Sequence, residues 1–189
     1  MSEVKEYYAK SRKEWRKWLE KNHQSEKSVW LIIYHKKSTT SSCKYEEAVE
    51  EALCFGWIDS IAKKRDQESS FQYFSIRKPK SNWSKSNRDR VARLTALGLI
   101  TESGQKMIDL AKQTGTWEAL VTVENSVIPE DLQQLLIKNK KALKHFLAFS
   151  PSSKRGILEW ILNAKKAETR QKRIEETVKL AADNIKANQ

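Results

Sequence analysis

A chain of 189 residues is long enough for one sizeable core, or a core with a smaller appendage. With 39% apolar and 32% charged residues, and no run near the roughly 18 apolar residues of a membrane span, it reads as a soluble globular protein rather than a membrane helix bundle. The formal net charge is +12, and half of it lies in residues 76–93, where seven basic side chains accompany one acidic one, a local field suited to an anionic ligand or polyanion. The opening MSEVKEYYAKSRKEW lacks the apolar stretch of a secretory signal, so the expected compartment is the cytoplasm. Cys43 and Cys54 would stand about 16 Å apart across a helix, too far for a bridge, and are expected as reduced thiols.

In chain order, SRKEWRKWLEKN (11–22) spaces Trp15, Trp18 and Leu19 for an amphipathic helix opened by Ser11. VWLIIYHK (29–36) is β-branched, aromatic and too short for a stable buried helix, which predicts a strand. YEEAVEEALCF (45–55) puts Ala48, Val49, Ala52, Leu53 and Phe55 on one stripe, with Glu46, Glu47, Glu50 and Glu51 expected as a solvated face and Gly56 as the left-handed stop. WIDSIAKKR (57–65) and FQYFSIRK (71–78), joined by the polar DQESS, predict a hairpin. Strand, helix and strand with short links form a right-handed crossover unit, so these elements predict a small three-stranded mixed sheet in β-α-β-β order. Pairing in the hairpin brings Trp57 and Asp59 within a residue or two of Ile76, Arg77 and Lys78.

Beyond residue 84 the signals are helical. Ser86 and Asp89 resemble a capping box before RVARLTALG, which Gly98 closes, and Thr101 starts a helix that Gly115 ends. Pro129 and Pro151 suit first helical turns, the latter behind Ser150 as cap. Residues 151–186 read as one long helix or two consecutive ones, with stripes at Ile157, Leu158, Ile161, Leu162 and at Ile174, Val178, Leu180, Ala181. The expected fold is therefore α+β and mostly helical, with an α/β part, basic loop and helical middle in residues 1–127 and a C-terminal helical domain in 128–189.

The segment RKPKSNWSKSNRDR (77–90) carries the sharpest chemistry. It couples a rigid turn at Pro79, the ring of Trp83, the small polar residues Ser81, Asn82, Ser84 and Ser86, and a run of cations leading into a helix N-terminus. Free backbone N–H groups, serine hydroxyls and arginine suit phosphate, sulfate or carboxylate, and a ring beside cations suits a planar group. The same residues equally suit a scaffold in which Trp83 pins the loop, a serine caps the helix and the cations are solvated. Trp57 and Asp59 share a strand face, and Asp59 needs a partner, for which Arg77 is the nearest candidate.

Other chemistry is weakly supported. His23, His35 and His145 fall in three different elements without ligand spacing, and the cysteines form no CxxC, so no metal is expected. No glycine-rich phosphate loop, GxSxG elbow or HExxH is present, and no cofactor is expected. The C-terminal AKKAETRQKRIEETVKLAA offers i,i+4 pairs such as Glu168 with Lys172 and reads as an exposed helix that packs by its apolar stripe.

Three blocks together, YEEAVEEALCFGWIDS, RKPKSNWSKSNRDRV with LGLITESG after it, and SPSSKRGILEWILNAKKAETRQKRIEETVKL, resemble the YdeI/OmpD-associated family of bacterial proteins, also labelled bacteriocin-protection proteins. The resemblance implies a role in stress tolerance, in particular survival of cationic antimicrobial peptides or bacteriocins, with a porin as proposed partner. It brings no catalytic residues. The combined expectation is a non-catalytic cytoplasmic protein that binds a small anionic or planar ligand at the junction of sheet and basic loop. Trp57 and Trp83 would be the walls, Arg77 and Lys78 the anion contacts, Ser84 a donor, and Asp59 the residue orienting Arg77. Two alternatives remain: a nucleic-acid-binding module using residues 77–93 with the C-terminal helix, and an enzyme on the same pocket, for which only Asp59 stands ready as general acid or base.

Overall fold

The computed structural model describes residues 4–188. The chain divides into two compact units, Met1–Ala119 and Leu120–Gln189.

The first unit runs β1 (Glu6–Tyr8), α1 (Arg12–Asn22), β2 (Ser28–Tyr34), α2 (Tyr45–Cys54), β3 (Trp57–Lys64), β4 (Ser69–Ile76), α3 (Lys85–Ala96) and α4 (Glu102–Gln113). The sheet has four strands in the order β1-β2-β4-β3, which corrects the three-stranded expectation. The added strand, EYY, is too short to show an alternation; it exists because Glu6, Tyr7 and Tyr8 pair in parallel with Trp30, Leu31 and Ile32. β4 runs antiparallel to both β2 and β3 and lies between them, so the β2-α2-β3 crossover spans an inserted strand. The hairpin register pairs Trp57 with Ile76 and Asp59 with Phe74, and β3 is bulged between Asp59 and Ala62.

Alternation divides the sheet into two faces. On one, Val29, Leu31 and Phe74 are buried with Trp57 against the helices. Trp15 of α1 lies 5.3 Å from the ring of Phe74 and stacks on Trp18 at 5.1 Å, while Trp18 meets Trp57 edge-on at 5.8 Å. The buried indole N–H groups are satisfied, Trp15 donating to Ala48 O and Trp57 to His23 O. The opposite face carries Trp30, Phe71, Tyr73 and Ser75, all half-buried.

Ser11 caps α1 and Thr101 caps α4, as their sequences predict. α3 is capped by Ser84, which accepts from Asn87 N, so the expected cap at Ser86 moves two residues upstream. Gly56 stops α2 with φ +75°, and Gly104 lets α4 approach α2 so closely that a Cβ there would lie 2.2 Å from Cys54 O. Thr101 supplies the matching bonds, donating to the same carbonyl from N and from Oγ1.

Only part of the acidic side of α2 is the solvated face expected: Glu46 is exposed and Glu47 half-buried, but Glu50 and Glu51 are buried. Glu51 is 2% exposed and accepts from Arg12 Nε at 2.5 Å and Arg16 Nη1 at 2.7 Å; Glu50 accepts from Arg12 at 2.9 Å and Arg93 at 2.6 Å. Three arginines from α1 and α3 thus converge on two glutamates, a clamp that periodicity within one helix cannot reveal.

The second unit holds α5 (Val121–Glu124), α6 (Glu130–Lys138), α7 (Lys140–Ala148), α8 (Pro151–Leu162) and α9 (Ala167–Ala182). Its core gathers Leu132, Leu136, Phe146, Ile157, Leu158, Ile161 and Ile174. Ser150 caps α8 ahead of Pro151, and residues 151–186 resolve into two helices. Arg170 grips Asp131 with Nε at 2.7 Å and Nη2 at 3.0 Å. Among the described residues no helix is long and apolar enough to cross a membrane.

Candidate functional site

Where the hairpin ends, β4 runs into the basic loop and a cleft of about 730 Å³ opens around the strand ends, lined by residues of both sheet faces. Its floor is the strand ends: Ile58, Asp59 and Ser60 of β3 and Tyr73, Ser75 and Ile76 of β4. Lys27, just before β2, stands on one side, and Arg77, Lys78, Pro79 and Ser81 form the other. A turn closed by Ser81 N donating to Lys78 O shapes that wall, with Pro79 fixing its backbone.

Arg77 is the unusual residue. It is 1% exposed, its backbone N donates to Gly56 O, and its guanidinium lies 3.7 Å over the ring of Trp83. Nη2 donates to Asn82 O at 2.5 Å, but Nε and Nη1 are buried without a hydrogen-bond partner among the described residues. Burial pulls the guanidinium down to about 10, against the opposing charge of Asp59. No ion pair joins the two: Asp59 instead accepts from Tyr45 Oη at 2.7 Å. Burial and that bond push the Tyr45 phenol up to about 12. Asp59 therefore acts on Arg77 through space and does not hold it by contact.

Of the six residues singled out by sequence, Asp59, Arg77 and Lys78 line the cleft together. Trp83, 1% exposed, backs Arg77 from the core side, where it meets Trp117 at 5.0 Å and bonds its N to Thr116 O. Trp57, also 1% exposed, belongs to the core under the helices, and the Ser84 hydroxyl is engaged at the cap of α3. Neither Trp57, Trp83 nor Ser84 lines the cleft. Several cations of the segment have structural partners: Arg88 donates to Trp83 O and Trp117 O, Lys85 pairs with Asp89, and Arg93 with Glu50. Sequence reasoning missed Lys27, Tyr73 and Ser75. The alternation of FQYFS does place Tyr73 and Ser75 on one face, but only the β2–β4 register brings Lys27 beside them.

Elsewhere the chemistry is structural. Cys43 and Cys54 are free and buried; burial pushes the first thiol up to about 12 and the second to about 11. His23 bridges Leu19 O and Ser103 Oγ, His35 meets Ser70 Oγ, and His145 donates to Ala181 O. Among the described residues no three His, Cys, Asp or Glu side chains gather as a metal site.

The fold and cleft define a two-unit protein, an α/β unit with a cationic cleft followed by a helical unit. Residues 7–107 match a family described as a domain of unknown function, DUF8412; that is more than half the chain, and the chain belongs to this family. Residues 125–184 match the family described as Bacteriocin-protection, YdeI or OmpD-Associated, which bears out the resemblance over the helical unit. The motifs FGWIDS and RKPKSNW thus fall in the first matched segment and SPSSKRGILEW in the second. No curated protein and no solved structure matches the chain.

Proposed function

We propose that the protein is a non-catalytic binding protein whose cleft takes a small ligand bearing a phosphate or carboxylate, in a cytoplasmic stress-tolerance or bacteriocin-tolerance role. The family description of residues 125–184 supports the tolerance setting. One observation carries the binding reading: Arg77 keeps two buried guanidinium nitrogens, Nε and Nη1, without partners among the described residues, beside a cleft that also holds Lys27 and Lys78. A buried charged donor left unsatisfied costs free energy comparable to a lost charged hydrogen bond. An anion seated between Arg77 and the two lysines supplies the missing acceptors, and the Trp83 ring already fixes the guanidinium plane.

The test is thermal unfolding with inorganic pyrophosphate against potassium chloride at equal ionic strength. A ligand present at about one hundred times its Kd stabilises the folded state by about 2.7 kcal/mol, a readily measured rise in Tm. The Lys27→Ala/Lys78→Ala protein, altered only at the cleft margin, should lose most of that rise. Equal shifts with chloride, or an undiminished shift in the double variant, would overturn the proposal.

A further inference from the structure

We infer that the outer face of the sheet binds single-stranded nucleic acid, with bases stacked on Trp30, Phe71 and Tyr73 and the sugar–phosphate strand leading toward the Arg77 cleft. The inference extends the cleft's ligand to a polymer but adds Trp30 and Phe71, which do not line the cleft, to the shared Tyr73, so the two readings fail separately.

The rings sit together because of register. Trp30 pairs with Tyr73 and Ile32 with Phe71 across β2 and β4, so alternation brings all three rings to the face opposite the helices. Trp30 lies 4.9 Å from Tyr73 and 6.0 Å from Phe71, and each ring is only half-buried. In the first unit the helices pack on the other face, where Trp15 meets Phe74 and Trp18 meets Trp57. Tyr73 belongs both to this cluster and to the cleft, which makes the two surfaces continuous.

Charge selects the occupant. Lys63 on β3 holds its ammonium 4.3 Å over Trp30 and 5.0 Å over Phe71, and Arg65 lies 5.8 Å over Phe71. Lys27 and Lys78 stand at the other end, by the cleft. The nearby acids are fewer: Glu6 is level with Trp30, Asp66 is paired with Arg65, and Asp59 at the cleft accepts from Tyr45 Oη. A cationic peptide would meet these lysines as like charges, and an acidic peptide would leave the ring faces without planar partners. A single strand offers phosphates for the cations and bases for the rings, whereas a duplex hides its bases. Lys63 then exchanges its contact with Trp30 for one with phosphate when a base takes the ring. Two adjacent strands of this kind accommodate about two or three bases.

The experiment uses the full chain and fluorescein-labelled oligo(U) and oligo(dT) of about fifteen nucleotides, with a duplex of equal length, followed by fluorescence anisotropy across a salt series. Phe71→Leu and Tyr73→Leu, checked for unchanged unfolding midpoints, should each weaken single-strand binding about ten-fold. Lys63→Ala, at an exposed position, should lower the slope of log K against log salt by about 0.7. Oligo(U) and oligo(dT) binding alike supports stacking, because every base has a ring face. Duplex binding as tight as single-strand binding, no binding near 50 mM salt, or folded leucine variants with undiminished affinity would overturn the inference. A pyrophosphate shift without ring-dependent oligonucleotide binding defeats this inference alone; ring-dependent binding without that shift defeats only the small-ligand reading.

Discussion

Replacing Arg77 with methionine should leave the protein as stable as the parent or slightly more so, while removing its response to pyrophosphate. The guanidinium is held at about 10, against an ordinary value above 12. At about 1.4 kcal/mol per pH unit, that gap sets roughly 3 kcal/mol against the charged group in the folded chain. Arg77→Met relieves this cost and gives up the bond to Asn82 O, worth about 1.5–3 kcal/mol for a charged donor. It also gives up stacking on Trp83, which the thioether replaces in part. The balance is a gain of about 0–1 kcal/mol, where truncating an ordinary buried side chain loses about 2–5 kcal/mol. Urea titration at pH 7.5, followed by tryptophan fluorescence in buffer free of phosphate, reads the difference. The sign can be checked with pH. A folded value below the unfolded one means that the parent gains stability as pH rises from about 10, and the methionine protein should lack that component. A loss of more than about 1 kcal/mol at pH 7.5 would refute the reasoning, since it would make the guanidinium a scaffold group rather than one carried at a cost.

The remaining outcomes concern the scaffold. Glu51→Ala should cost about 2 kcal/mol in urea titration, less than the 3–5 kcal/mol of a fully stranded buried pair. The difference arises because Arg12 and Arg16, 35% and 26% exposed, can turn toward water. Gly104→Ala should lose at least about 2 kcal/mol despite its better helix propensity, because the added carbon meets the Cys54 backbone. Gly156→Ala in α8, where an added Cβ would meet nothing within 4 Å, should instead gain up to about 1 kcal/mol, and equal effects at the two glycines would contradict the packing. Neither Cys43 nor Cys54 should react with a thiol reagent at pH 8 until urea unfolds the chain, since burial raises both thiols far above that pH. Stoichiometric labelling of the native protein within minutes would contradict that burial.

Local signals carried much of the fold. Ser11, Thr101 and Ser150 each announce a helix that the structure starts there, and Gly56 announces the end of α2, because caps and left-handed stops depend on a few neighbouring residues. β1 was illegible because its reason for existing lies in β2. The Glu50 and Glu51 clamp was misread for a related reason: on its own helix a glutamate at the edge of an apolar stripe looks solvated, and only the approach of α1 and α3 makes it a buried anion. The hairpin did lead from FGWIDS to the basic loop, placing Asp59 and Arg77 at one cleft, but the sequence supplied residue types without depth. Hence Trp57 and Trp83, expected as walls, lie in the core, and Trp30, Phe71 and Tyr73, read only as strand formers, share an open face.

The two margins of the sheet have a consequence for how the protein behaves at high concentration. One margin is the three-residue β1; the other is β3, bulged between Asp59 and Ala62 and carrying the exposed Lys63 and Lys64. A strand from another molecule would find too little length on the first and a kinked backbone with like charges on the second. Edge-to-edge growth into fibrils is thereby disfavoured even though the sheet contains the apolar run VWLIIY, which stays shielded because it lies between β1 and β4.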